Sequence, residues 1–158
     1  MANNYCVFSE KFKFPKEAAE DLISLCNDDF DDFPQWFVDK HNLTDENVDD
    51  YFDNNIRTIG SFGVNVTYEE NSELLYICAE ESGDIEAVAK ILSEVMGHYN
   101  INKPIIIEEA LYCSRMIPGE FGGCVVAVGP DVYLLKDTYK VGTELAKKIS
   151  EGIKHAER

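Results

Sequence analysis

The chain has 158 residues, 45% of them hydrophobic and 11% aromatic, a composition that suits one domain with its own core and argues against disorder. Its 30 acidic and 14 basic residues give a formal net charge of −16 at pH 7. A field of this sign repels phosphate backbones and attracts basic protein surfaces. Direct nucleic-acid binding is therefore not expected, whereas a basic protein partner is.

The acidic charge is concentrated at the front of the chain. Residues 1–55 hold 14 acids against 4 bases, residues 56–112 hold 10 against 3, and residues 113–158 hold 6 against 7. Blocks of acid most often serve as solvated faces that keep a protein in solution. A solvated acidic face is therefore the alternative to a binding role for residues 1–55.

Neither a membrane span nor a secretory signal is apparent in the sequence. No apolar run approaches the ~20 residues needed to cross a bilayer, and the first residues lack the basic-then-apolar order of a signal peptide. The five cysteines are odd in number and form no Cys-x-x-Cys pair and no Cys/His cluster with metal-ligand spacing. We therefore expect a cytoplasmic protein with reduced thiols, and predict no metal and no cofactor.

The first elements in chain order are a strand and a helix. Residues 5–14 alternate between apolar and other side chains, which predicts a strand. Pro15 suits a first helical turn, and the residues after it repeat apolar side chains at helical spacing as far as Cys26. The sequence therefore predicts an amphipathic helix here.

Residues 27–55 mix acids with aromatic side chains, and Thr44 with Asn47 or Asp45 can cap a short helix within them. Because each aromatic side chain buries a large apolar area when it docks, we expect this segment to pack on the core and present its acids outward. The same mixture predicts a protein contact patch, since interface centres are rich in aromatics while charge selects the partner. The predicted patch consists of Asp28, Asp29, Asp31, Asp32, Phe33, Trp36 and Phe37.

The middle of the chain predicts a hairpin and a long helix. Strand patterns over residues 61–70 and 73–81 flank the turn residues Asn71 and Ser72. Asp84 can then cap a helix over residues 85–99, where apolar side chains recur at helical spacing.

Two further strands are predicted over residues 103–113 and 122–129, and a closing helix places Leu145, Ile149 and Ile153 on one face. The element order is then β-α-(α)-β-β-α-β-β-α. Hairpins outnumber crossovers in it, which favours an α+β fold. We predict a single domain over residues 1–158, with an antiparallel or mixed sheet of about five strands and helices mainly on one face.

Few residues carry a pattern typical of catalysis. Cys113 and Ser114 end a predicted strand just before a glycine-rich loop, where a nucleophile could be displayed. That loop, Pro-Gly-Glu-Phe-Gly-Gly, matches neither common phosphate-binding motif and precedes a strand, so turn geometry explains it as well as ligand binding does. The three histidines lie outside any nucleophile motif and are interpreted as structural.

Three blocks, "YCVFSE", "LLYICAEESGDIEAVAKIL" and "CSRMIPGEFGGCVVAVGPD", together resemble a family of small, acidic, uncharacterised proteins of bacteria, their plasmids and their phages. The resemblance covers about half of the chain, and it implies a bacterial or mobile-element context without implying an activity. Family members often carry Lys-Pro-Arg between Cys-Ser and Gly-Glu-Phe, where this chain has Arg-Met-Ile-Pro. The matching positions are Tyr5, Cys6, Ser9, Glu10, Glu80, Glu81, Gly83, Cys113, Ser114, Gly119, Glu120, Phe121, Gly122 and Gly123.

Two functions are consistent with these observations. The first is a non-enzymatic, acidic binding protein that engages a basic partner, as a nucleic-acid-mimicking or immunity-type inhibitor does. The alternative is a small enzyme or ligand-binding domain that uses Cys113, Ser114 and the loop from Gly119 to Gly123. Within that loop a plain turn has no need of Glu120 or Phe121.

Overall fold

The computed structural model describes residues 4–26, 30–55, 63–114 and 121–156. Within these ranges it contains six strands, five α-helices and one 3₁₀ turn. In chain order they are β1 (Asn4–Lys13), α1 (Lys16–Cys26), the 3₁₀ turn (Phe30–Asp32), α2 (Gln35–His41), α3 (Val48–Asn55), β2 (Asn65–Glu69), β3 (Leu74–Ala79), α4 (Ile85–His98), β4 (Ile105–Cys113), β5 (Gly122–Gly129), β6 (Val132–Asp137) and α5 (Thr138–Ala156).

The six strands form one sheet in the order β2-β3-β1-β4-β5-β6, and every neighbouring pair is antiparallel. The predicted α+β class is therefore confirmed, with six strands where about five were expected. The additional strand is β6, for which the sequence analysis predicted no strand between residues 122–129 and the closing helix. Asp137 ends β6 and also accepts a hydrogen bond from the Lys140 N–H at 2.6 Å, so the strand passes into α5 without a loop.

One face of the sheet carries α1 and α4 and holds the core. Side chains of alternate strand residues, including Phe8, Ile77, Ile107 and Val126, are buried there with the apolar residues of these helices. The predicted cap of α4 is confirmed, because the Asp84 carboxylate accepts hydrogen bonds from the N–H groups of the second and third helical residues. We call this face the helix side.

The segment from the 3₁₀ turn to α3 packs on the same core, as its aromatic content predicted. Phe33, Phe37 and Phe52 are buried and contact one another as neighbouring rings. The Trp36 indole N–H donates to the Asp21 carboxylate on α1 at 2.7 Å. Aromatic burial therefore holds α2 and α3 in place at the helix side.

Among the described residues, no helix is both long and apolar enough to cross a bilayer.

Candidate functional site

The first candidate surface is acidic and lies on the outside of the 3₁₀ turn, of α2 and α3, and of the loop between these two helices. Between residues 31 and 50 seven acids are exposed, and the bases and histidines in this range are Lys40 and His41. We call this the acidic surface. Its members are Asp31, Asp32, Asp39, Asp45, Glu46, Asp49 and Asp50.

Nearby bases are engaged elsewhere. The lysines of β1 and α1 pair with the β2–β3 hairpin, in the ion pairs Lys11–Glu69 at 3.3 Å, Lys13–Glu73 at 3.8 Å and Lys16–Glu70 at 2.6 Å. The ammonium group of Lys40 lies 3.2 Å from Glu94 and 3.5 Å from Asp131. The carboxylates that these four lysines contact all lie outside the acidic surface.

The aromatic part of the predicted contact patch needs correction. Phe37 is fully buried and Phe33 is 9% exposed, while Trp36 is half-buried and held by Asp21. Phe33 and Phe37 therefore pack in the core and are not available to a partner, whereas part of the Trp36 ring remains exposed. Of the acids in the patch, Asp31 and Asp32 are exposed, and Asp28 and Asp29 lie outside the described residues.

The second candidate surface is the face of the sheet opposite the helix side. On β4, β5 and β6 the strand register brings alternate side chains together on this face. We call this apolar area the open face, and its large hydrophobic members are all exposed. They are Ile106 (59% exposed), Tyr112 (41%), Val125 (40%), Val132 (55%) and Leu134 (73%).

Helix α5 extends this apolar area. Val141, Leu145 and Ile149 follow one another at intervals of four residues and are 37%, 53% and 65% exposed. The helix contacts β5 and β6 near its start, where a cleft of about 570 Å³ lies between Val141, Leu145 and Val125. The sequence analysis placed Leu145, Ile149 and Ile153 on one face of this helix, and the structure describes the side chains of the first two as exposed.

Gly123, in the Gly-Glu-Phe-Gly-Gly segment, has a packing role in this region. A Cβ on Gly123 would lie 2.5 Å from the backbone oxygen of Glu109, so β4 and β5 approach too closely there for a side chain. The Gly123 N–H donates to the Thr138 hydroxyl at 3.2 Å, which ties the start of β5 to the start of α5. Phe121 is 52% exposed, and Gly119 and Glu120 lie outside the described residues.

The predicted nucleophile position does not face solvent. Cys113 is 6% exposed at the end of β4, on the side of the sheet where Ile105 and Ile107 are buried. Its neighbour Ser114 is exposed. A thiol so placed is typical of a small core residue.

A different thiol, Cys124, lines the cleft beside α5. It donates a hydrogen bond to the Glu109 carboxylate at 3.1 Å. Burial, and after it this hydrogen bond, raises the pKa of Cys124 to about 12. Burial also raises the pKa of Glu109 above its ordinary value. A thiol with a raised pKa holds its proton at neutral pH, so Cys124 is a poor nucleophile.

Two of the histidines have structural contacts, and both partners lie far away in the sequence. His41 shares a hydrogen bond of 2.6 Å between its Nε2 and Oε2 of Glu94, and the imidazole of His98 stacks on Trp36 with ring centroids 4.2 Å apart. The side chain of His155 is outside the described set. Among the residues that the structure describes, no three His, Cys, Asp or Glu side chains form a group that could hold a metal ion.

Sequence reasoning missed Glu94 and Asp21, the two carboxylates that attach α2 to the helices beneath it. One signal for Glu94 was available in the sequence, because its neighbours Ile91, Leu92 and Val95 are apolar residues of the same helix. An acid in such a position is rarely buried without a partner.

Comparisons of this chain with protein-family models, with curated proteins and with solved structures found no match.

Proposed function

We propose that this chain is a non-enzymatic protein-binding module whose acidic surface engages a basic protein partner. An inhibitor, of the nucleic-acid-mimicking or immunity type, is the form of this function that the charge favours. The resemblance to small acidic proteins of bacteria, plasmids and phages supports such a context, and a cytoplasmic place of action belongs to the same proposal.

The observation that carries the proposal is the fixed presentation of the acids. The turn and helices that bear them are anchored to the core by Phe37, Phe52 and the hydrogen bond from Trp36 to Asp21. Carboxylates on an anchored scaffold lose less conformational freedom on binding than carboxylates on a mobile segment. The surface is therefore preorganised for a partner with fixed positive charges.

Salt-dependent capture tests the proposal. The immobilised chain is incubated with bacterial lysates at low and at high salt, beside a variant in which Asp32, Asp45 and Asp49 are replaced by Asn. A control variant with the same charge replaces Glu80, Glu81 and Glu108, which lie outside the acidic surface, by Gln. We expect a stoichiometric basic protein that binds the wild type and the control at low salt and is lost from the first variant. Equal capture by both variants would contradict the proposal.

The cleft beside α5 favours one second candidate, a ligand-binding domain. Its wall is mostly apolar and includes a few ionisable side chains, as in many small-molecule sites; these are Glu108, Glu109, Lys136 and Asp137. A compound that raises the Tm of the wild type but not of a Val125→Arg variant would favour this candidate over the first.

A further inference from the structure

We propose that the open face and α5 form the contact surface of a symmetric dimer, so that their partner is a second copy of this chain. The inference goes beyond the proposed function, because the acidic surface belongs to the helix side and the open face lies on the other side of the sheet. Dimerisation through the open face leaves the acidic surface of both copies accessible.

The amount of exposed apolar surface is that of a protein interface. Eight large hydrophobic side chains of the open face and α5 are between 37% and 73% exposed. Together they present an area on the order of 800 Å², which is the size of one side of a standard protein–protein contact. Monomeric proteins rarely expose this much apolar surface in one region. Within it, Glu108 and Lys136 lie opposite Val125 on the neighbouring strands and add one acidic and one basic side chain.

Helix α5 needs a partner more than any other element does. It has 19 residues, and residues 141–149 are exposed without exception. In proteins, most of the stability of a helix comes from the packing of its apolar face rather than from intrinsic helix propensity. The apolar side chain of Ile149, one turn beyond Leu145 at the cleft, is 65% exposed.

The charged residues beside the apolar face of α5, formed by Val141, Leu145 and Ile149, are arranged to pair with those of a second copy of the same helix. When two copies of α5 pack antiparallel about Leu145, Val141 of each copy lies opposite Ile149 of the other. Glu144 and Lys148 are exposed and share one flank of the apolar face of α5. Glu144 also lies 4.0 Å from the ammonium group of Lys136 on β6, so a second copy would add Lys148 to an existing ion pair. Because positions 144 and 148 lie on opposite sides of Leu145, the antiparallel arrangement brings Glu144 of one copy to Lys148 of the other, twice by symmetry.

The distribution of net charge also favours contact at this end of the molecule. Two chains of net charge −16 repel each other, and the repulsion is weakest where their least acidic parts meet. Residues 113–158, which include β5, β6 and α5, hold 6 acids and 7 bases. A dimer through this part keeps the acidic surfaces of the two copies apart.

Sedimentation equilibrium of the full chain tests the dimer. We expect the wild type to be a dimer at micromolar concentration and Leu145→Glu to be a monomer with an unchanged circular dichroism spectrum. Tyr139→Glu is the matched control, because Tyr139 is 82% exposed and lies about 120° around the helix from Leu145. This control should remain a dimer.

Charge exchange tests the arrangement of the helices. Glu144→Lys should weaken the dimer at least about tenfold by placing like charges together, and the double variant Glu144→Lys with Lys148→Glu should restore it. A wild type that is monomeric at 100 μM, or a Leu145→Glu variant that still dimerises, would overturn the proposal. A monomer that binds anionic vesicles would identify the surface as a membrane contact instead.

The outcomes are separable from those of the proposed function. Leu145→Glu should still capture a basic partner through its acidic surface, and the Asp32, Asp45 and Asp49 variant should still dimerise. Failure of either proposal therefore leaves the other to be judged by its own experiment.

Discussion

His41 on α2 and Glu94 on α4 meet at 2.6 Å between Nε2 and Oε2, with 17% and 11% of their side chains exposed. Replacing Glu94 by Ala removes the acceptor of a largely buried histidine. We expect the free energy of unfolding to fall by about 2 kcal/mol, since a polar group left buried without its partner loses its solvation as well as its hydrogen bond. Urea unfolding measures this loss, and Glu80→Ala, at an exposed glutamate, is the control that should change little.

Asp21 joins three elements through one oxygen. Its Oδ2 accepts from the Trp36 indole and from the Tyr99 hydroxyl, both at 2.7 Å. Asp21→Ala leaves two donors without an acceptor, so we expect a loss of about 2 to 3 kcal/mol, and Asp21→Asn should lose less because its carbonyl still accepts.

The emission of Trp36 reports this change directly, because it is the only tryptophan of the chain. We expect a red shift in Asp21→Ala and none in Asp39→Ala, whose carboxylate accepts from the exposed Gln35. An unshifted spectrum in the Asp21→Ala variant would show that α2 does not depend on this contact.

Two glycines make a matched pair for testing the packing of β5. Gly123→Ala places a Cβ against the backbone oxygen of Glu109, where only 2.5 Å is available, so we expect a destabilisation of about 1 to 3 kcal/mol. Gly142→Ala meets nothing within 4 Å on α5 and should stabilise the helix by up to about 1 kcal/mol. Thermal unfolding distinguishes the two, and a tolerated Gly123→Ala would mean that β4 and β5 are not as close as described.

Stability should depend on pH through Glu109. Burial raises the pKa of this carboxyl, with a smaller opposing effect from the Cys124 thiol. The folded chain therefore binds the Glu109 proton more tightly than the unfolded chain does. This contribution to stability is complete below the ordinary pKa of 4.5 and is lost as pH rises through the raised value.

Replacing Glu109 by Gln removes that loss while keeping an acceptor for the thiol. We expect Glu109→Gln to be more stable than the wild type at about pH 7, and the difference to shrink at about pH 4. Glu108→Gln, at the exposed neighbour, is the control. A difference that does not vary between the two pH values would contradict the assignment.

The thiols should react slowly in the native state. Cys78 and Cys113 are 7% and 6% exposed, and burial raises the pKa of Cys26 and of Cys124 to about 12 and that of Cys6 above its ordinary value. We expect iodoacetamide at about pH 7.5 to label them in urea but not in the folded chain, as peptide mass spectrometry would show. Fast labelling of Cys113 in the folded chain would favour the enzyme alternative.

Local patterns in the sequence were enough to identify most of the fold. The helical repeat of α4, its cap at Asp84 and the alternation in β1 each depend on neighbouring residues, and all three are present in the structure. The strand β6 was not predicted, because Asp137 both ends the strand and caps α5. No turn residue therefore separates the alternation typical of a strand from the repeat typical of a helix. The excess of acid at the front of the chain was also readable from composition alone.

What only the tertiary structure decided is which surfaces remain available. Phe37 and Leu145 each belong to an apolar pattern, yet one is fully buried and the other 53% exposed. The reason is that α1 and α4 already cover one face of the sheet and the Phe37 cluster packs with them, whereas α5 follows β6 and contacts β5 and β6 across an open cleft. Periodicity shows that a helix has an apolar face, but whether that face is covered depends on where the other elements pack.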